Sequence, residues 1–156
     1  MFTTSTSVRF NTGDLPELTP EQVWAGLVIR ARNGDERFAP PGHRFEVIDD
    51  SDAAVVRRAY LADGREELQR ITMHGERVMV FEFIEGPQKS VILCAIETDD
   101  EGEYRLRLTF LTTFPELVHH SVEEQEFAAR RRPLMQGQPN HILGVVRQLV
   151  NEGVLQ

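Results

Sequence analysis

Cysteine is almost missing from this chain. Cys94 is the only one in 156 residues, so no intramolecular disulfide can form and a cysteine-based metal site is excluded. Positive charge is also short. Lys and Arg number 17 against 25 Asp and Glu, and the net charge of −8 repels phosphate backbones and anionic head groups, which argues against nucleic acid as a partner. No apolar run approaches the roughly 18 residues of a membrane span, and Met1 to Asn11 has neither a basic start nor an apolar stretch of signal-peptide length. The expectation is a complete cytoplasmic protein. Glycine-rich phosphate loops, nucleophile elbows and zinc signatures are absent.

What remains has ordinary globular composition, with 40% hydrophobic and 27% charged residues. At this length one domain spanning 1–156 is expected, able to bury about 68 to 70 per cent of its unfolded surface. Phe2, Thr4, Thr6, Val8 and Phe10 alternate with polar residues as in a half-buried strand. A helix then starts at Thr19-Pro20, with Gln22 completing a capping box and Leu18 and Val23 placed as a hydrophobic staple. Val23, Trp24, Leu27, Val28 and Ala31 recur at helical spacing before the left-handed stop at Asn33-Gly34.

From His43 to Thr113 the period is that of strands, predicted at 43–49, 54–62, 65–74, 77–85, 89–98 and 103–113. Connections such as Asp63-Gly64, Gly75-Glu76 and Gly86-Pro87 are too short for crossover helices, so the strands should form an antiparallel meander. Ser121 and Glu124 form a second capping box, Glu126 and Arg130 a favourable i, i+4 pair. Pro133, Gly137 and Pro139 should kink or interrupt this last helix before the stripe Ile142, Val145, Val146, Leu149 and Val150, which Gly153 ends. The fold class is thus α+β. A seven-stranded antiparallel sheet has too few helices to cover it twice, so it should curl around the C-terminal helix.

An apolar cavity between sheet and helix is expected to bind a small molecule. Its candidate lining is Phe45, Tyr60, Gln69, Met73, Phe81 and Phe83 from the earlier strands, Tyr104, Leu106, Leu108 and Phe110 from the last, and Ile142, Val146 and Leu149 from the helix. The same aromatic set also suits a plain core. Strand 77–85 is apolar on both faces, and Met79, Phe81 and Phe83 are favoured inside because they are bulkier and uncharged. Glu67 either points inward, which demands a partner, water or ligand, or faces solvent with Leu68 inside. His74 sits at a strand end, a rim position for a polar cavity group.

Other chemistry-bearing residues have plainer readings. His119-His120 lacks a third ligand at metal spacing, Arg130-Arg131-Arg132 suits the charge preference of a helix end, and Cys94 in its apolar run suits a buried inert thiol.

The element order resembles the helix-grip superfamily (SRPBCC) that includes START lipid-transfer domains, the birch-pollen allergen with its pathogenesis-related relatives, and polyketide cyclases. More narrowly, three segments resemble the AtaL-like family: Leu18 to Leu27 with Arg30-Ala31-Arg32-Asn33, Ile71-Thr72-Met73-His74 through Val80-Phe81, and Leu106 to Phe110. The resemblance implies two short helices after the first strand and a hydrophobic tunnel beneath the final helix, binding lipids, polyketides or aromatic metabolites. It carries no shared catalytic set, cofactor or metal. Three functions follow as expectations: carriage of an apolar molecule; a cyclase or aromatase using Glu67, His74 and Tyr104 as acid and base; or an interaction module, including a homodimer, using the outer residues Val78, Val80 and Ile84.

Overall fold

Strand alternation, hairpin chemistry and two capped helices account for the architecture. The computed structural model describes residues 1–156. The chain runs β1 (Phe2–Arg9), α1 (Pro20–Arg32), a 3-10 turn (Glu36–Phe38), β2 (Arg44–Asp50), β3 (Ala54–Tyr60), β4 (Glu66–His74), β5 (Val78–Glu85), β6 (Lys89–Thr98), β7 (Tyr104–Thr113) and α2 (Val122–Asn151). All seven strands form one curved antiparallel sheet in the order β1-β7-β6-β5-β4-β3-β2, a six-strand meander to which β1 adds beside β7.

The first helix starts where its cap dictates. Thr19 Oγ1 accepts from the Gln22 N–H at 3.1 Å, Gln22 Oε1 accepts from the Thr19 N–H at 3.0 Å, and Leu18 and Val23 are both buried. Gly34 takes the left-handed conformation just after the helix, at φ +59°.

One hairpin differs from expectation in a way that matters later. A two-residue Asp63-Gly64 turn would place Tyr60 opposite Glu67. Instead Leu61 N–H bonds Arg65 O at 2.8 Å, so the loop takes three residues, Ala62 to Gly64, with Gly64 at φ +87°. The pairing becomes Ala59 with Glu67 and Arg57 with Gln69. A slip of one residue moves every side chain to the other face.

The last helix is also corrected. It is helical without a break through Pro133 and Pro139. A mid-helix proline costs about 3 kcal/mol, and packing at both ends offsets it. At the start, Phe114 stacks on Phe2 with ring centroids 5.8 Å apart and meets Phe127 edge-on at 4.5 Å. At the far end Ile142, Val146 and Leu149 are at most 1% exposed, in one core with Ile71, Met79, Leu106 and Leu108 from the sheet and Val23 and Leu27 from α1. Gly26 of α1 lets the helices meet, since a Cβ there would stand 2.5 Å from Val146 Cγ2.

The second cap is a half box. Ser121 Oγ accepts from the Glu124 N–H, but the Glu124 carboxylate turns instead to the His120 N–H and the Met1 ammonium, each at 2.6 Å. The Glu126–Arg130 ion pair does not form; the Arg130 and Arg131 guanidinium groups lie near the Phe127 ring. Gly153, at φ +74°, follows the helix end as expected.

Candidate functional site

A helix pinned at its two ends bridges whatever lies between. The register aligns side chains in rows across the concave face: Met79, Cys94 and Leu108, then Phe81, Ile92 and Phe110, then Ser90 with Thr112. The first row is fully packed. In the last, Ser90 and Thr112 are small, as is Ala59 on β3, and α2 offers Leu134, Met135 and Gln138, none of them β-branched. These side chains do not fill the gap. A cavity of about 450 Å³ results, inside the 300 to 1,000 Å³ range usual for small-molecule sites.

Phe45, Phe81, Phe83, Ile92 and Phe110 are among its apolar lining, joined by Phe38, Pro40, Pro41 and His43 from the segment between α1 and β2. Arg131, Leu134, Met135, Gln138 and His141 of α2 form the roof, with Leu134 at the rim 71% exposed.

Of the residues singled out in the sequence, Phe45, Gln69, Phe81, Phe83, Phe110 and Glu67 meet around this cavity. The others do not. Tyr60 faces outward, its hydroxyl donating to Glu46 at 2.8 Å and its ring beneath Arg44, because of the hairpin slip. His74 also lies on the outer face, 3.1 Å from Thr72 Oγ1. Leu106, Leu108, Ile142, Val146 and Leu149 belong to the solid core with Met73 packed against it, and Tyr104 stacks on Phe10 at 5.9 Å. The helix stripe therefore interlocks with the sheet, and the open space lies one to three turns earlier along α2.

Arg57 and Arg131 were missed. The hairpin slip that removed Tyr60 brought Arg57 inside, where it is 4% exposed. Its Nε donates to Gln69 Oε1 at 2.9 Å and its Nη1 to the Arg30 carbonyl at 2.6 Å, while the guanidinium lies 3.9 Å from the Phe45 ring centre. Burial, with the nearby Arg30 charge, pulls its pKa down to about 9. Arg30 lies 4.5 Å from the Phe81 ring centre and reaches Cys94 Sγ at 3.6 Å. Arg131, read from sequence as surface charge, turns into the roof and donates to Gln88 Oε1 at 3.0 Å, its pKa lowered by burial.

Glu67 is inside and 5% exposed. Gln69 Nε2 donates to it at 3.2 Å, and Gly86 runs so close that a Cβ there would sit 2.8 Å from Glu67 Cγ. Burial raises its carboxyl pKa, an effect opposed by the Gln69 hydrogen bond and the Arg131 charge.

Outside the cavity, His119, His120 and Glu124 bring ligand atoms within 4.8 Å of one another, so a third group does exist. Its carboxylate is already held by Met1 and His120. Burial raises the Cys94 thiol pKa, which keeps it protonated and unreactive. On the outer face Val78 and Val80 are half-buried and Ile84 is exposed. No helix is long and apolar enough to cross a membrane.

Residues 4–153 match the AtaL family, described as acetylaranotin biosynthesis cluster protein L. Among solved structures, the Zhui aromatase/cyclase from Streptomyces sp. R1128 is similar at 16% identity and TM-score 0.66, covering 96% of this chain and 94% of that one. TTHA0849 from Thermus thermophilus is similar at 15% identity and TM-score 0.63, over 97% of each chain. Ara h 8.0201 is similar at 14% and 0.57, covering 93% of this chain and 98% of that one. At such identities the likeness is one of fold. Comparison with curated protein sequences gave no significant match.

Proposed function

This chain belongs to the AtaL family, acetylaranotin biosynthesis cluster protein L, and from that premise we propose that residues 1–156 act as one domain that takes up a single, mostly apolar small molecule beneath the first half of α2. The observation that carries this is the cavity of about 450 Å³ walled by Phe45, Phe81, Phe83, Ile92 and Phe110. It can enclose a compact aromatic or polyketide-like body, and burying such a body yields about 25 cal/mol for each Å² removed from water.

Titration of the neutral fluorophore N-phenyl-1-naphthylamine into the folded protein tests the proposal. Saturable fluorescence at one molecule per chain is expected, and no uptake of this or any other apolar compound, by fluorescence or native mass spectrometry, would refute it.

Glu67 favours a second reading, that the bound molecule is also transformed. A buried carboxyl whose pKa burial raises, at the wall of an apolar cavity, keeps its proton more readily than an exposed one and is placed to pass it to a bound carbonyl or take it back. The likeness to an aromatase/cyclase agrees with this reading. His74 and Tyr104 have no part in it, since neither lines the cavity. If turnover of a bound polyketide-like chain survives Glu67→Gln undiminished, the acid-base role is wrong.

A further inference from the structure

The protein carries a net charge of −8, yet Arg30, Arg57 and Arg131 line the cavity against one carboxyl, Glu67. The partition within that group is uneven. The Glu67 carboxyl feels the charge of Arg131, whereas the only charge acting appreciably on Arg57 is that of Arg30, another cation. Neither Arg30 nor Arg57 makes an ion pair anywhere in the chain, although most of the other arginines do. Buried charges are ordinarily paired or hydrogen-bonded throughout.

Three features make this arrangement tolerable when the cavity is empty. Arg57 Nη1 caps the C-terminal end of α1 at the Arg30 carbonyl, where the helix carries partial negative charge. Gln69 supplies an acceptor, and the rings of Phe45 and Phe81 present their electron-rich faces. None of these supplies a full negative charge. Arg57 Nη2, unlike Nε and Nη1, has no acceptor in the protein. Every fully buried polar side-chain atom of the chain is hydrogen-bonded, so Nη2 must open onto the cavity.

We propose that the ligand carries an anionic group, a carboxylate or an acidic phenolate, which docks between the guanidinium groups of Arg57 and Arg30, its apolar body lying against Phe45, Phe81 and Met135. The inference rests on the cavity-binding reading above and deepens it. The anion meets Arg57 at Nη2, its one nitrogen without an acceptor, and such a charge-assisted hydrogen bond is shorter and about twice as strong as a neutral one. Phosphate, with more oxygens and a second charge, would leave acceptors unmet against the Phe45 and Phe81 rings. The pairing gives orientation as well as affinity: the acidic end points to the α1 side of the cavity, and the rest of the molecule extends under Met135 towards Glu67.

Competition tests this with two ligands of equal shape. N-phenyl-1-naphthylamine reports occupancy of the cavity, and 2-naphthoate and 2-naphthamide compete with it at neutral pH. Naphthoate is expected to displace the reporter at a concentration at least about tenfold below that of naphthamide, since a hydrogen bond to a charged group is worth about 1.5 to 3 kcal/mol. Arg57→Gln should remove that preference, read as the ratio of the two displacing concentrations. Because Arg57 also holds the end of α1, Arg30→Gln, on a less buried residue, is the second variant and should cut the preference several-fold.

Equal displacement by naphthoate and naphthamide, with the reporter still bound, overturns the anionic-group inference and leaves the cavity reading standing. A naphthoate preference that survives both substitutions also overturns it. Failure of the wild-type protein to bind the reporter defeats both.

Discussion

Ala59→Phe should weaken ligand uptake sharply without harming the fold. Ala59 is fully buried on β3, and its methyl group lies on the cavity wall beside Arg57 and opposite Glu67. A benzene ring occupies an apolar void of about 150 Å³, so the introduced phenyl would take about a third of the 450 Å³ present. Ala59 is itself covered, so its neighbours must give before the ring reaches the void, but a ring that ends in the void escapes most of the roughly 1 to 3 kcal/mol that overpacking a filled core costs. Burying the ring can return about 1.5 to 3 kcal/mol, and at about 2 to 4 °C per kcal/mol for a domain of this size the Tm should hold or rise by several degrees. Affinity for N-phenyl-1-naphthylamine should fall at least about tenfold. Leu108→Phe is the control, because Leu108 sits in the filled row between Cys94 and β1. It should lower the Tm by several degrees and leave affinity per folded molecule unchanged. Fluorescence titration and thermal melts read both effects. If Ala59→Phe binds the reporter as tightly as the wild type, or melts early as Leu108→Phe does, the placement of the void is wrong.

Three further outcomes are expected. The raised pKa of folded Glu67 means that its contribution to stability is full below about pH 4.3, the ordinary unfolded value, and is lost as pH rises through the folded value. Glu67→Gln should therefore raise the Tm at pH 7.5 relative to the wild type and bring little gain at pH 4; a gain equal at both would contradict the sign. Gly26→Ala, whose Cβ would meet Val146 Cγ2 at 2.5 Å, should destabilise despite the roughly 1 kcal/mol helix-propensity gain. Pairing it with Val146→Ala should cost less than the two single changes summed, and strict additivity in thermal melts would show that the helices do not meet there. Pro133→Ala, at an exposed position inside α2, should raise the Tm by up to several degrees, out of the about 3 kcal/mol that a helix-interior proline costs; an unchanged Tm would show that the helix has absorbed the proline.

Local chemistry was legible in the sequence where one residue sufficed to express it. The Thr19 capping box, the Gly34 and Gly153 stops and the meander come from short-range rules, and each appears where those rules place it. The inward face of β7 was equally plain, since Arg105, Arg107 and Thr109 leave Leu106, Leu108 and Phe110 only one side to occupy. The binding wall was harder. A single extra residue in the Ala62 to Gly64 loop exchanges Tyr60 for Arg57, and an aromatic side chain placed inside by its type alone carries no information about that register. The clue was Gln69: once it faces inward, the residue opposite it must follow, and three-residue pairing makes that residue Arg57. The stripe Ile142 to Leu149 misled for a different reason. A strong apolar face shows where a helix packs, and tight packing is the opposite of room for a guest. The space lies instead where α2 turns polar and small side chains meet it, at Gln138, Ser90, Thr112 and Ala59. The two prolines of α2 likewise lost to tertiary contacts that periodicity does not reveal.

The four methionines allow the location of ligand to be read directly. Met135 lines the cavity, Met79 lies in the filled core, Met73 packs against that core and Met1 stands at the terminus. With carbon-13 in the methionine methyl groups, titration of N-phenyl-1-naphthylamine followed by NMR should shift the Met135 resonance strongly and leave those of Met79 and Met1 in place. A Met79 shift with an unmoved Met135, or no shift at all on saturation, would contradict a binding site beneath the first half of α2.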